Sequence, residues 1–243
     1  MEKSQVAVAF SPALFDAYYT ENVVIVVIDA IRMSASIITA LANGAEEILP
    51  VAGLEETLKY KPQGYLIGGE RDTYKVEGFD FGNSPESFKT EKVKGQKIAL
   101  STTNGTQVLD LIMSKKSSND RVFIGSFLNA RYLAQYIGDL NQNVLIQCSG
   151  WKNTICTEDV LAAGYITELL VAAGNHYVWR DSAFLANALY KAASLDLVQY
   201  VYDASPRLLS KKDYLHNDIL YCLEKDKFSV LPELIGRKIK LTK

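Results

Sequence analysis

The sequence predicts an α/β fold of three layers, α/β/α, with helices on both faces of a mostly parallel or mixed central sheet. Three observations carry this. Short β-branched runs recur along about the first 150 residues, and helix-period segments stand between them. One run, 23–28, is apolar without a break. Alternation of strand and helix marks layered α/β proteins, and an unbroken apolar strand is one covered on both faces.

The strands are expected, in order, at 6–10, 23–28, 48–51, 65–67, 98–100, 122–124 and 144–146. Each is rich in β-branched residues and bounded by polar or glycine positions. The helices follow from apolar residues three and four apart. Ile37, Ile38, Leu41, Ala42 and Ala45 form one face, and Val108, Leu109, Ile112 and Met113 a second. Leu128, Tyr132, Leu133 and Tyr136 form a third, and Val160, Leu161, Tyr165, Leu169 and Leu170 the longest. From about residue 174 the chain is more helical and more charged, with a possible strand at 228–231. Residues 1–243 are read as a single domain with this helical C-terminal part.

Composition narrows the function classes. Apolar residues are 48% and charged residues 22% of 243, with 15 glycines and 6 prolines, which excludes a disordered or fibrous chain. A formal charge of −2 argues against a general nucleic-acid binder. The cysteines, Cys148, Cys156 and Cys222, are odd in number and unpaired in spacing, so reduced buried thiols are expected. Two histidines exclude a site needing three. The N-terminus does not resemble a signal peptide. The longest apolar run has six residues against the ~20 that cross a bilayer, so a cytoplasmic protein with no membrane partner is expected.

Polar residues gather just after the strands. Asp29 and Arg32 follow the second, and Gly69, Glu70 and Arg71 the fourth. Thr102, Thr103, Asn104, Gly105 and Thr106 follow the fifth, and Ser126 and Asn129 the sixth. Glu158 and Asp159 open the longest helix. In a parallel sheet these strand ends share one edge, where ligands of open α/β sheets bind. The 102–106 turn is either an anion cradle of backbone N–H groups and hydroxyls or a helix cap. Ser126 and Asn129 favour a plain cap. Arg32 and Arg71 each offer a planar fork to a phosphate, or a salt bridge to Asp29 or Glu70. Asp29, Glu70, Glu158 and Asp159 supply the carboxylate oxygens Mg²⁺ demands, and the last two also suit a helix N-terminus.

Familiar phosphate-handling motifs are missing. Ile31 stands where a haloacid-dehalogenase-type site needs a second Asp. No cysteine has Arg six residues on, and no Gly-x-x-x-x-Gly-Lys or Gly-x-Gly-x-x-Gly loop occurs.

Six blocks in order carry a resemblance. They are 29–32 (DAIR) with 37–45 (IITALANGA), 69–71 (GER), 77–85 (EGFDFGNSP), 102–106 (TTNGT), 125–130 (GSFLNA), and Glu158-Asp159 with 162–164 (AAG); 181–183 (DSA) also matches. Together they resemble the 2-phosphosulfolactate phosphatases, the ComB family, over about residues 6–236. The chain departs from the pattern at 33–35 (MSA), 151–153 (WKN) and 205–207 (SPR).

The resemblance implies an α/β/α fold of family-specific topology. It also implies an Mg²⁺-dependent phosphatase that converts 2-phospho-3-sulfolactate to 3-sulfolactate and phosphate, a step towards coenzyme M. With the residue reading it assigns Asp29, Arg32, Glu70 and Arg71 to catalysis and Asp29, Glu70, Glu158 and Asp159 to the metal. Asn83, Ser84, Thr102, Thr103, Asn104, Gly105, Thr106, Ser126 and Asn129 would hold the small anionic phosphorylated substrate. The rivals are a phosphatase of the same fold acting on another phosphorylated hydroxy acid, and a non-enzymatic binder of an anionic metabolite. A symmetric homodimer is expected from size alone.

Overall fold

A computed structural model describes residues 4–71, 74–102, 104–174, 176–178 and 180–242. Its strands are β1 (Ser4–Ala9), β2 (Val24–Ile28), β3 (Glu47–Val51), β4 (Leu66–Arg71), β5 (Tyr74–Lys75), β6 (Lys97–Ser101), β7 (Arg121–Ile124), β8 (Val144–Cys148), β9 (His176–Val178), β10 (Pro232–Ile235) and β11 (Lys238–Leu241). Its helices are α1 (Phe15–Tyr18), α2 (Met33–Ala42), α3 (Leu54–Leu58), α4 (Gly105–Lys115), α5 (Ala130–Leu140), α6 (Thr157–Ala172), α7 (Asp181–Ala193), α8 (Leu197–Ala204), α9 (Pro206–Leu209) and α10 (Lys212–Cys222). All seven expected strands and all four expected helices form, with shifted ends.

The strands make one mixed sheet in the order β5-β4-β6-β3-β11-β10-β7-β2-β8-β1-β9. It holds two parallel blocks, β4-β6-β3 and β7-β2-β8-β1-β9. The hairpin β10–β11 joins them through antiparallel pairings to β7 and β3. Those reversals make the two blocks run in opposite senses. The strand ends therefore do not share one edge of a parallel sheet, as expected from the sequence. They meet because α4, which follows β6 in one block, packs on β2 of the other. One apolar cluster accordingly holds Ile25 and Val27 of β2, Ile98 and Leu100 of β6, and Met33, Ile37, Val108 and Ile112 from α2 and α4.

The opposite face of the larger block is covered by α5 to α8, around Val24, Val26, Phe123, Leu133, Leu161, Ala186 and Val201. That completes the three layers, and β2, buried at every position, is the covered strand its solid apolar run predicts. The α6–α7 approach is close enough that a Cβ on Gly164 would lie 2.1 Å from the Ala186 carbonyl oxygen.

The seams between blocks have little ladder. β10 pairs with β7 at Glu233–Phe123 and β11 with β3 at Ile239–Ile48. Ion pairs supplement both. Arg121 grips Glu233 with two hydrogen bonds of 2.8 Å. Buried Glu47 takes Lys238 and Lys240 at 2.8 Å each and the Tyr65 hydroxyl at 2.5 Å. Burial pushes the Glu47 carboxyl up, but those hydrogen bonds outweigh it and pull the pKa down to about 2.

Two boundaries differ from expectation for steric reasons. β4 does not stop at residue 67 but runs through Gly68 and Gly69 to Arg71. A Cβ at Gly68 would meet Leu100 Cδ1 at 2.8 Å, and one at Gly69 would meet Phe79 Cε1 at 3.0 Å. The glycines are strand residues under tight cover rather than a turn. The strand expected at 228–231 forms instead at β10, because Phe228 and Val230 pack as separate side chains against Ala35, Ile38 and Tyr221.

Candidate active site

β2 delivers Asp29 to the rim of the sheet, and the turn into α2 fixes it. The Asp29 N–H donates to Ser34 Oγ at 2.9 Å, and the Met33 N–H donates to Asp29 Oδ1 at 3.3 Å. Gly105 opens α4 beside this carboxylate. A Cβ there would lie 2.0 Å from Met33 Sδ and 3.1 Å from Asp29 Oδ2, so only glycine brings the α4 N-terminus this near.

Around Asp29 lies a cleft of about 380 Å³. Arg32, Glu70, Asn83, Thr102 and Asn104 line it, together with Trp151, Lys152, Arg207 and Lys211 from later in the chain. Ile31, Leu208 and Leu215 supply its apolar surface. Asn83 Oδ1 and Thr102 Oγ1 are buried with no hydrogen-bond partner among the described residues, so both remain available to a ligand.

Arg32 is buried and carries a network. Its guanidinium pairs with Glu70 and, at 2.5 Å, with Asp218, while Ser84 Oγ donates to the other Asp218 oxygen at 2.6 Å. The salt-bridge alternative for Arg32 is therefore realised towards Glu70. Ser84 stands behind Arg32 and is not among the residues lining the cleft.

Arg71 is not brought to Asp29. Successive residues of a strand face opposite sides, so Glu70 faces the cleft while Arg71 lies exposed beside a neighbouring hollow of about 290 Å³ with Ala52, Gly53 and Gln107. Glu70 and Thr102 line both spaces.

The carboxylates at the start of α6 differ in their commitments. Asp159 Oδ1 accepts the Ala30 N–H at 2.8 Å and Oδ2 the Gly150 N–H at 2.9 Å, tying the end of β2 to the turn after β8. Glu158 pairs with Arg207 through Oε1, while its Oε2 is buried and unpartnered. Burial, then the charges of Glu158 and Asp29, raise the Asp159 pKa well above the ordinary range. Asp29 is pushed up to about 6, mainly by burial and further by Glu158 and Glu70, against the Met33 N–H and Arg207.

Among the described residues no group of three or more His, Cys, Asp or Glu side chains is arranged to hold a metal ion. The expected four-carboxylate set is not assembled. Asp159 is spent on backbone N–H groups and Glu70 on Arg32, leaving Asp29 and Glu158 Oε2.

Ser126 and Asn129 do not reach a substrate either. Both are fully buried and form a capping box: the Ser126 N–H donates to Asn129 Oδ1 at 3.0 Å and the Leu128 N–H to Ser126 Oγ at 3.1 Å. Thr106 is buried too, and its hydroxyl donates to the Thr102 carbonyl at 2.5 Å, so this side chain caps the turn. Thr103 lies outside the described residues.

Several lining residues escaped the sequence reading. Trp151, Lys152 and Arg207 belong to two stretches that depart from the family pattern, and that departure was their signal. Asp218 sits with Leu215, Ile219 and Cys222 on the buried stripe of α10. A carboxylate at that spacing on an apolar face marks a buried partner elsewhere. The cysteines are buried and free, as expected. Burial foremost raises the pKa of each, so none is poised as a thiolate. No helix among the described residues is long and apolar enough to cross a membrane.

Comparison with known proteins shows the family to which the chain belongs. A family described as 2-phosphosulpholactate phosphatase matches residues 9–236. A probable 2-phosphosulfolactate phosphatase of Clostridium beijerinckii is 36% identical over 222 residues, covering 90% of this chain and 91% of its own. Proteins of the same description from Caldanaerobacter subterraneus subsp. tengcongensis and Thermotoga maritima are 37% and 35% identical. They are matched over 86% and 87% of this chain and 87% and 88% of their own. A match spanning nearly the whole chain, with every residue that lines the cleft inside it, places this protein in the 2-phosphosulpholactate phosphatase family.

Proposed function

We propose that this chain hydrolyses 2-phospho-3-sulfolactate to 3-sulfolactate and phosphate. Its family is one of phosphoric monoester hydrolases, and the chain is an enzyme of that class. One observation carries the choice of substrate. The cleft gathers four cationic side chains, Arg32, Lys152, Arg207 and Lys211, around Asp29. Among the described residues Arg32 and Arg207 are paired with carboxylates and Lys152 and Lys211 are not, so a ligand with a phosphate, a sulfonate and a carboxylate supplies the counter-charge that these lysines lack.

In hydrolysis a water oxygen bonds to phosphorus, the P–O ester bond breaks, and the leaving alkoxide takes a proton. Arg32, held rigid by Glu70 and Asp218, is a fixed positive charge for phosphoryl oxygens. The Thr102 hydroxyl can donate to a bound anion, while Asn83 Oδ1 can accept only from a donor such as the attacking water. Without a cation, burial holds the Asp29 pKa at about 6, so near neutral pH its proton would leave as a cation binds.

Mg²⁺ dependence belongs to the same proposal. Such an ion needs one or two carboxylates besides substrate and water. Asp29 and Glu158 Oε2 would hold it, and a cation relieves the repulsion from Glu158 and Glu70 that adds to burial in raising the Asp29 pKa. When bound, it would neutralise phosphoryl charge as a Lewis acid. A coenzyme M context, a cytoplasmic location, a symmetric dimer and no nucleic-acid partner complete the proposal, together with a single domain over residues 1–243.

The test is phosphate release, with and without Mg²⁺, from 2-phosphosulfolactate and from its analogue with carboxylate in place of sulfonate. Preference for the sulfonate supports the reading. Preference for the carboxylate transfers it to another phosphorylated hydroxy acid, and no release from either overturns it.

A further inference from the structure

The cations of the cleft fall into two groups. Arg32 and Arg207 are held by carboxylates, Glu70 and Asp218 for the first and Glu158 for the second. Lys152 and Lys211 line the same cleft, yet neither ammonium has a carboxylate within 4.0 Å among the described residues.

Both lysines stand on fixed backbone. Lys152 is in a tight turn closed by two hydrogen bonds, Trp151 N–H to Thr154 O at 3.1 Å and Thr154 N–H to Trp151 O at 3.0 Å. Lys152 and Asn153 have φ of 51° and 61°, the left-handed values of a type I′ hairpin turn. Lys152 Nζ lies 4.5 Å from the centre of the Trp151 ring, and the Arg207 guanidinium 5.8 Å from the same ring. The indole thus joins this turn to α9 and the half-buried Lys211 that follows it. Lys211 donates its N–H to Leu208 O at 3.1 Å, and its carbonyl accepts from Leu215 at 2.9 Å.

Lys152 and Lys211 line one cleft with no carboxylate paired to either among the described residues, and a bound anion would supply that counter-charge. Asp29 and Arg32, from the loop between β2 and α2, have their own claim on the phosphate. We propose that Lys152 and Lys211 form a subsite for a second acid group of the substrate, a sulfonate or carboxylate on the alcohol that bears the phosphate. The cleft then selects phosphorylated hydroxy acids over simple alkyl phosphates. This rests on the phosphatase reading and adds which residues read the acid end.

The experiment compares kcat/KM for 2-phosphosulfolactate and ethyl phosphate in Lys152→Met, Lys211→Met, the double variant, and the charge-keeping Lys152→Arg and Lys211→Arg. A charge-assisted hydrogen bond is worth about tenfold or more. Each Met variant should lower the ratio of the two substrates about tenfold, and the double variant about a hundredfold. The Arg variants should hold the ratio within about threefold. Calorimetric titration with 3-sulfolactate alone should show the same order of weakening. An unchanged ratio, or equal losses on both substrates, overturns the subsite. If the wild-type protein releases no phosphate, the phosphatase reading falls. The subsite then stands or falls on whether wild type binds sulfolactate and the double variant does not.

Discussion

The Arg32 guanidinium rests on the Asp218 carboxylate, Nη1 to Oδ2 at 2.5 Å, across 186 positions of sequence. The contact pins α10 to the loop after β2, with Glu70 from β4 on the other side of the same guanidinium. The first arginine of the site is thus positioned by the C-terminal helices. Removing Asp218 leaves the buried guanidinium with Glu70 as its carboxylate partner and takes away one charge-assisted hydrogen bond, a loss of about 1.5–3 kcal/mol. Asp218→Ala should lower unfolding free energy by that order in a denaturant titration. Arg32→Lys, which keeps a charge but not the fork, should lower kcat/KM about 10- to 150-fold. An Asp218→Ala variant as stable as wild type would remove the network from the account.

Asp29 should trade stability for function. Its folded-state pKa is raised from 3.8 to about 6, so the native state binds this proton more tightly than the unfolded chain does. The favourable contribution is full below about 4 and is lost as pH rises through 6. Asp29→Asn, which mimics the protonated form, should be more stable than wild type by roughly 2–3 kcal/mol at pH 7.5 in chelator. The difference should vanish near pH 4, while phosphate release falls sharply. Equal stability of the two proteins at pH 7.5 would contradict the raised pKa.

Metal removal should silence the enzyme. Chelation is expected to abolish phosphate release and Mg²⁺ to restore it, with Mn²⁺ as a substitute. Glu158→Gln and Asp29→Asn should raise the Mg²⁺ concentration needed for half-maximal rate, whereas Arg32→Lys should leave it unchanged. Full activity in chelator excludes the metal.

The C-terminal hairpin should be a stability element. Lowering of the Glu47 pKa from 4.5 to about 2 means its stabilisation is complete above 4.5 and lost as pH falls through 2. Both lysine partners reach solvent, so screening reduces the gain. Glu47→Gln should cost about 1–2 kcal/mol at pH 7 and almost nothing near pH 2. Deleting residues 228–243 removes the strands between the two blocks, and should leave a chain without a cooperative thermal transition.

The cysteines should be dispensable for chemistry. Each is buried with a raised pKa. Cys148→Ala, Cys156→Ala and Cys222→Ala should each keep more than about a tenth of wild-type activity, the loss reflecting packing alone. A drop of several decades in a folded variant would reopen a nucleophilic role.

Periodicity and propensity are local, so the sequence by itself determined β2 as a covered central strand, the four helices α2, α4, α5 and α6, and Asp29 at a strand end. It also marked the buried thiols and the family blocks. What only the tertiary structure decided depends on which residues meet across long separations. The opposite senses of the two sheet blocks follow from where a late hairpin inserts, and no local pattern encodes that insertion. Whether Arg32 faces solvent or Asp218, whether Asp159 holds a metal or two backbone N–H groups, and whether Lys152 and Lys211 share a cleft are likewise decided by long-range contact. Strand alternation separates Glu70 from Arg71 only once β4 is known to continue through two glycines, and their cover by Leu100 and Phe79 is itself a tertiary contact.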